Sequence, residues 1–452
     1  MVALPESNPS PTPATASHDP TDRFNWRTCW YPIAFSVDLP VDRPYGFTIF
    51  AEPFVLFRDR AGELVCLRDR CPHRLVKLSD GKCTDGKLEC LYHGWQFGQQ
   101  GTCLHIPHLL DGAEIPERAN VPSFPVREEQ GMVWVWADEA ALPADQLPPT
   151  VSELDSAGVF KVDTMTDFPF DYAVLIENML DPAHVYISHD RTELKIRKED
   201  AAPLSMEVLE TSITGFRGRY RRANQPQAPW TALTFHAPTL VNYSFSNPAY
   251  GVVGGFALYA LPLAYGRSRI LARRYGNFFQ RSFTLKPLWL EHLRQSKIFE
   301  QDLPLIAEQD RFFQCTDQPL KSAYFPLKTS DTFVMEQRRW LDRFAQDWPW
   351  YVGSATARMP TEVLSDSSPP LATRLERHTQ HCHTCRSTHK RLSQLIQGGR
   401  ISAIATLAIT LLTDDWLQIL FVFAFVTSTV TVAAAERLKR HFEVSSFASF
   451  EA

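Results

Sequence analysis

The chain has 452 residues, 44% of them hydrophobic and 21% charged, which is enough apolar material for two or more packed domains and excludes a mainly disordered chain. Its 46 basic and 51 acidic residues leave a formal net charge of −5, against the broad basic surface of a nucleic-acid binder. Nine cysteines, an odd number, fit reduced thiols or metal ligands in a reducing compartment better than a secreted disulfide framework.

Residues 2–20 are rich in Pro, Ser, Thr and Ala, carry Glu6 and Asp19, and lack both a basic stretch and an apolar core. They read as a disordered tail (1–23) rather than a signal peptide, and the acids count against a plastid transit peptide. The runs Phe54-Val55-Leu56-Phe57 and Leu64-Val65-Cys66-Leu67, on either side of the turn Asp59-Arg60-Ala61-Gly62, predict short strands, as does Met132-Val133-Trp134-Val135-Trp136. Between them lies CPHRLVKLSDGKCTDGKLECLYHGW, which pairs Cys71-x-His73 with Cys90-x2-His93. Two thiolates and two imidazoles in such pairs are the ligand set of a Rieske [2Fe–2S] centre, in which histidines replace cysteines on one iron. A structural Cys2His2 zinc site uses the same residue types, with wider spacing within each pair. Cys83 and Cys103 read as ordinary thiols.

The stretch from Phe24 to about Pro107, with FNWRTCWYP, CPHR, LSDGK, ECLYHGWQF and GTCLHIP, resembles the Rieske-type non-heme iron oxygenases of the pheophorbide a oxygenase and chlorophyllide a oxygenase group. It departs from that pattern at Lys77, where a proline is expected, and at His108, where a glutamine is expected. Neither position is a ligand, but both leave room for a different substrate.

Downstream, FPFDYAVLIENMLDPAHVYISH gives Asn178-x2-Asp181-x2-His184-x4-His189. Five residues turn a regular helix by about 140° beyond a full circle, so the two histidines share one face only if the helix is distorted or ends before His189. Pro182 supplies a break, with Asp181 as a natural cap for a new helix. Two histidines and one carboxylate on one face of a metal are the ligands of non-heme Fe(II) oxygenases. The resemblance extends through this segment. It implies that Asp181 bridges His184 to His93 of a neighbouring subunit, although a helix cap alone would also explain Asp181. Asn178 reads either as a residue beside the iron or as a local hydrogen-bonding residue at a helix end. The acidic ligand is expected in FEQDLPLIAEQD, where the resemblance points to Asp302, with Asp310 and Glu300 as rivals and a solvated charged face as the plain alternative.

From Leu204 to Phe279, alternating runs separated by Pro and Gly predict antiparallel strands, with helices at about 171–188, 286–314 and 330–346. The fold class is therefore α+β: an all-β Rieske domain over 24–145 and a catalytic domain over 146–364. The resemblance makes the latter a helix-grip domain, an antiparallel sheet with helices around an apolar pocket. After a linker (365–394) rich in His and containing Cys382-x2-Cys385, two apolar runs, 401–412 and 416–435, predict a membrane anchor over 395–440. The first is too short to span unless it extends back past Arg400, so it reads as a re-entrant segment or one arm of a hairpin; two buried core helices are the alternative. Lys390, Arg391 and Arg400 before the runs and Arg437, Lys439 and Arg440 after them place the catalytic body on the cytoplasmic or stromal side of a thylakoid, plasma or chloroplast-envelope membrane. The CxxC pair resembles the redox-regulated pair of the same group; a metal site with nearby His378, His381, His383 or His389, and inert thiols, are the alternatives.

Together the resemblance implies an oxygenase that uses O2, a mononuclear Fe(II), a [2Fe–2S] cluster and a reductant such as ferredoxin. Its expected substrate is a chlorophyll-pathway tetrapyrrole, most plainly pheophorbide a with ring opening, or a related chlorophyllide hydroxylated on a substituent. A homotrimer is expected by analogy. A sterol-desaturase-type Rieske oxygenase is the rival enzyme, and a redox sensor or translocation component the rival from another class.

Overall fold

The computed structural model describes residues 23–139, 146–192, 196–247, 251–278, 286–316, 318–356 and 373–444. Nearly all of the expected N-terminal tail and residues 365–371 of the expected linker lie outside the described residues.

The N-terminal part is all β. A four-stranded sheet, Tyr45–Ile49, Glu52–Arg58, Leu64–Arg68 and Ser123–Phe124, stands as a wall between two cores. Successive side chains of a strand point to opposite faces. Phe54 and Leu56 accordingly enter the large core shared with the catalytic domain, while Val55 and Phe57 enter a smaller core that holds Cys71 and Cys90. This explains why the strand reads as an unbroken apolar run rather than as an alternating one. The expected turn is closed by Asp59, whose Oδ1 accepts from the backbone N–H of Ala61 (2.8 Å) and Glu63 (2.9 Å). A second small sheet, Lys82–Thr84, Lys87–Glu89, Gln96–Phe97 and Cys103–His105, presents the second cysteine–histidine pair on one of its connections.

The catalytic part is a seven-stranded antiparallel sheet in which the first strand, Phe160–Phe168, pairs with the last, Arg267–Gly276, and the others follow in reverse chain order back to Leu204–Ser212. In the register of that first pair, Asp163 faces Arg273 and Asp167 faces Arg269, and both are ion pairs, at 2.7 and 2.5 Å. Arg269 also donates to the Ile33 carbonyl (3.2 Å) and the Tyr45 hydroxyl (2.7 Å), joining the sheet to the N-terminal domain.

Helices α1 (Tyr172–Met179), α2 (Val185–Ser188), α3 (Leu288–Cys315) and α4 (Thr332–Phe344) complete this domain. The helical segment expected over 171–188 is interrupted at Asp181-Pro182, where the proline was expected to break it, and forms α1 and α2. Asp171 caps α1 by accepting from Ala173 N–H at 2.9 Å. Inside α3, Pro304 lacks the N–H that would pair with the Glu300 carbonyl, and each of the two is two residues from Asp302.

Beyond the domain, α5 (His383–Thr410) and α6 (Asp415–Glu443) form an antiparallel hairpin, pinned by Arg400–Glu436 (2.6 Å) and Ser402–Ser428 (3.1 Å). The CxxC segment is not a linker. Residues Leu375–Thr379 form a π-helical turn that leads into α5, because Arg374 and Arg377 pair with the buried Glu300 of α3 and anchor the segment to the domain. The short apolar run 401–412 covers the far end of α5, one arm of the hairpin, and the first two residues of the turn after it. Among the described residues one helix, α6, is long and apolar enough to cross a membrane, and none of its apolar window is buried.

Candidate functional site

The two loops of the first constellation share one backbone design. Cys71 N–H donates to the Val76 carbonyl (2.9 Å) and Leu75 N–H donates back to Cys71 (2.8 Å); Cys90 N–H donates to Trp95 (2.8 Å) and Gly94 N–H to Cys90 (3.0 Å). The fifth residue of each loop has a positive φ, 61° at Leu75 and 70° at Gly94. Glycine adopts this readily, and leucine only where the fold demands it. The loops bring the buried Cys71 and Cys90 side by side, and set the His73 and His93 rings 4.4 Å apart, His73 stacked on Trp95. Burial, opposed by the His73 N–H and reinforced by Cys90, pushes the Cys71 thiol up to about 11. Two adjacent buried thiolates therefore need positive charge between them, which is what an iron–sulfur cluster supplies. Two buried sulfurs on one side and two outward imidazoles on the other fit that cluster.

The second constellation is assembled at the break between α1 and α2. Asp181 Oδ1 accepts from Ala183 N–H (2.7 Å) and His184 N–H (3.3 Å), closing the turn that leads into α2, whose N-cap is His184 and not the expected Asp181, while its Oδ2 lies 3.4 Å from His184 Nδ1. One carboxylate thus holds the turn before the helix and faces the histidine in a single rotamer. Because α2 is a single turn that ends at His189, the two rings converge, with centroids 5.4 Å apart. Asp302 Oδ2 completes the group, 3.3 Å from His189 Nε2 and 3.7 Å from His184 Nε2. Burial opposes charge on both partners, but His184 is raised to about 10 by Asp181 and Asp302, and Asp302 is lowered to about 2 by the two histidines. Carboxylates facing imidazoles this closely form a cation-binding electrostatic environment, and two histidines with one carboxylate are the donor set that suits non-heme iron.

The rivals of Asp302 are engaged elsewhere. Asp310 Oδ2 accepts from Asp171 N–H (3.1 Å) and Gln314 (2.7 Å), fastening α1 to α3, and Glu300 holds Arg374 and Arg377. Asn178, the penultimate residue of α1, lines a cavity of about 330 Å3 together with Asp181, His184 and Asp302. Its wall is more polar than expected: Glu177 accepts from Arg338 Nε (2.9 Å) and Tyr324 OH (2.7 Å), and Gln309 donates to Tyr324 (2.8 Å). Nothing in the sequence flagged Gln301, whose Oε1 is 3.0 Å from His189 Nδ1. Cys382 and Cys385 lie apart from both centres, buried and unbridged beside His292 and His378.

Residues 29–125 match the Rieske [2Fe-2S] domain family and residues 235–319 the Pheophorbide a oxygenase family. The chain is 35% identical to Protein TIC 55, chloroplastic, of Arabidopsis thaliana, over 88% of this chain and 79% of that one. The chain belongs to the pheophorbide a oxygenase family of Rieske oxygenases. It is a non-heme iron oxygenase with a [2Fe–2S] cluster and a mononuclear iron. Pheophorbide a oxygenase, chloroplastic, of Oryza sativa subsp. japonica is 28% identical over 95% of this chain and 85% of that one. The crystal structure of dicamba monooxygenase bound to dicamba shares the fold, with a TM-score of 0.58 and 22% identity, over 69% of this chain and 95% of that one.

Proposed function

We propose that the chain is a membrane-anchored oxygenase of a chlorophyll-pathway tetrapyrrole, pheophorbide a or a related chlorophyllide, with the cluster on Cys71, His73, Cys90 and His93 and the iron on His184, His189 and Asp302. The observation that carries the reading is the convergence of His184, His189 and Asp302 beside a cavity, since a sensor or translocation component needs no such group. Relatives named pheophorbide a oxygenase and chlorophyllide a oxygenase support the substrate class. Iron(II), when bound, supplies the dioxygen chemistry of two-histidine, one-carboxylate centres. The protein's own part is positional. Gln301 sets the His189 ring, and Asp181 holds His184 and bridges to His93 of a neighbouring subunit in a trimer. Asn178 and the Glu177–Arg338 network present polar groups to the substrate, while Leu305, Ile306 and Phe325 supply apolar lining.

A ferredoxin-type protein is the electron donor in this reading. The exposed apolar faces of α5 and α6 enter a chloroplast-envelope or thylakoid membrane, and the basic residues near the hairpin's base keep the body on the stromal side. The names of several relatives include the word chloroplastic, in keeping with that placement.

A second reading is favoured by the cavity itself, which at about 330 Å3 is near the small end of ligand sites and is partly polar. A flavonoid 8-hydroxylase of Ocimum basilicum is 29% identical over 90% of this chain, so a smaller planar phenol is the alternative substrate. Single turnover of reduced, iron-loaded protein under labelled dioxygen, with pheophorbide a, chlorophyllide a, protochlorophyllide and a flavone offered in turn, separates the two. Label in a tetrapyrrole supports the first reading, and label in the flavone alone replaces it with the second. Iron-loaded protein that labels none of them defeats both.

A further inference from the structure

A second group of ligand-type side chains lies outside the oxygenase machinery. His292 stands near the start of α3, His378 in the π-helical turn, and Cys382 and Cys385 at the start of α5. All four are buried, and one ligand atom from each lies within 4.8 Å of the other three. His292 Nδ1 is 3.3 Å from Cys382 Sγ and 3.5 Å from Cys385 Sγ, and His378 Nε2 is 3.3 Å from Cys385 Sγ. The other nitrogen of His378, Nδ1, meets the Met165 carbonyl at 2.6 Å. This fixes the tautomer that leaves Nε2 as a lone pair facing the sulfurs, the usual outer contact of a metal-bound imidazole.

Two thiols spaced C-x2-C and two imidazoles are the donor set of structural zinc sites, which are closed at four ligands. The neighbouring hydrogen bonds make a poor substitute, because a thiol is a weak donor and a weak acceptor and all four groups have been taken out of water. A thiol–disulfide switch also fits badly, since an external thiol must reach a sulfur to exchange with it and both sulfurs are buried. The remaining histidines of this segment point elsewhere: His389 Nε2 meets Glu443 at 2.8 Å, His381 faces Asp167, and His383 contributes its backbone N–H to Asp38 at 2.6 Å.

We propose that His292, His378, Cys382 and Cys385 hold one structural Zn2+ that fastens the base of the membrane hairpin to α3, the helix that carries Asp302. The two thiols lose their protons to solvent as the ion binds, so the filled site is neutral. His292 and Asp302 are ten residues apart, about 15 Å along one helix, and the buried Glu300 with Arg374 and Arg377 lies between the hairpin base and the same stretch of helix. The ion therefore couples the anchor to the oxygenase body without touching substrate, and it does not depend on which substrate the enzyme takes.

The test is elemental analysis and zinc-edge X-ray absorption of the full chain, purified without chelators from zinc-supplemented cells. The expected result is about one zinc per chain beside the iron, with two sulfurs at about 2.3 Å and two nitrogens at about 2.0–2.1 Å. Cys385→Ser and His292→Ala should each lower zinc at least tenfold, while the electron paramagnetic resonance signal of the reduced cluster persists. If either variant fails to fold, the absorption spectrum of the unmodified chain still decides. Iron-loaded protein with no bound zinc, a Cys382–Cys385 disulfide in the native protein, or iron in the sulfur–nitrogen site would each overturn the assignment.

Discussion

Gln301 and His189 are locked together on the side of the imidazole away from Asp302: Gln301 Oε1 lies 3.0 Å from His189 Nδ1, while His189 Nε2 lies 3.3 Å from Asp302 Oδ2. Neighbouring residues of α3 thus reach the two nitrogens of one ring. Thr192 donates to the same amide oxygen at 2.9 Å and holds it in place. Removing an outer partner of a metal-bound histidine costs about 10–100-fold in metal affinity or activity. Gln301→Leu should therefore weaken iron binding by about that factor, read by iron titration of the apo site, with the cluster's optical spectrum unchanged. Unaltered iron affinity would show that the contact does not orient His189.

Asp181 divides its labour between two oxygens, Oδ1 holding the turn before α2 and Oδ2 facing His184. Asparagine keeps an oxygen for the turn but loses the negative charge and the second acceptor. Asp181→Asn should fold, bind both metal centres, and reoxidise its reduced cluster about 10–100-fold more slowly when substrate and dioxygen are added together. Stopped-flow absorbance of the cluster measures this. A normal rate would remove Asp181 from the coupling between centres.

These two residues mark how far the sequence could be read. Asp181, His184 and His189 sit within nine residues, and the break at Pro182 was visible, so their convergence followed from local geometry. From the residues alone Asp302 was one acid among three, favoured only by the family resemblance, because the choice depends on which side of α3 faces α2, and that is set by the packing of Glu300 and Asp310 against other elements. Gln301 and His292 carried no signal, since each is an ordinary residue of a polar helix whose partners lie about 90 to 110 residues away. The segment around Cys382 looked like a linker because its burial comes from α3 and α6, not from its own pattern.

Asp167 and Arg269 face one another across the edge strand Phe160–Phe168 and its neighbour Arg267–Gly276, both buried. Burial pushes the Asp167 carboxyl up, but the charge and hydrogen bonds of Arg269 outweigh it and hold the group below the usual carboxylate value. A depressed carboxylate stabilises the fold above the unfolded value of about 3.9, and that stability is lost as the pH falls through the lower folded value. Asp167→Asn leaves a buried guanidinium without its counter-charge, at a cost of about 3–5 kcal/mol. The thermal midpoint at pH 7 should fall by about 10 °C, and the variant should lose the acid-dependent part of its unfolding. A paired Asp167→Leu, Arg269→Met change should recover most of the loss, and failure to do so would assign the destabilisation to packing rather than charge.

The hairpin makes its own prediction. Trp416 to Ala435 forms about 30 Å of helix, the thickness of a bilayer's hydrocarbon, and its apolar side chains, Phe423 and Val426 among them, are exposed. Arg400 pairs with Glu436 near the base, and Asp414 and Asp415 mark the tip, so charge brackets the apolar zone at both ends. An arginine at the centre of such a run opposes insertion by about 2.5–3.5 kcal/mol. The unmodified chain should therefore stay with membranes through alkaline carbonate washing, and Phe423→Arg with Val426→Arg should release most of it with the cluster intact, because neither residue touches the core. If the unmodified chain washes off freely, the exposed faces of α5 and α6 meet another protein surface instead of lipid.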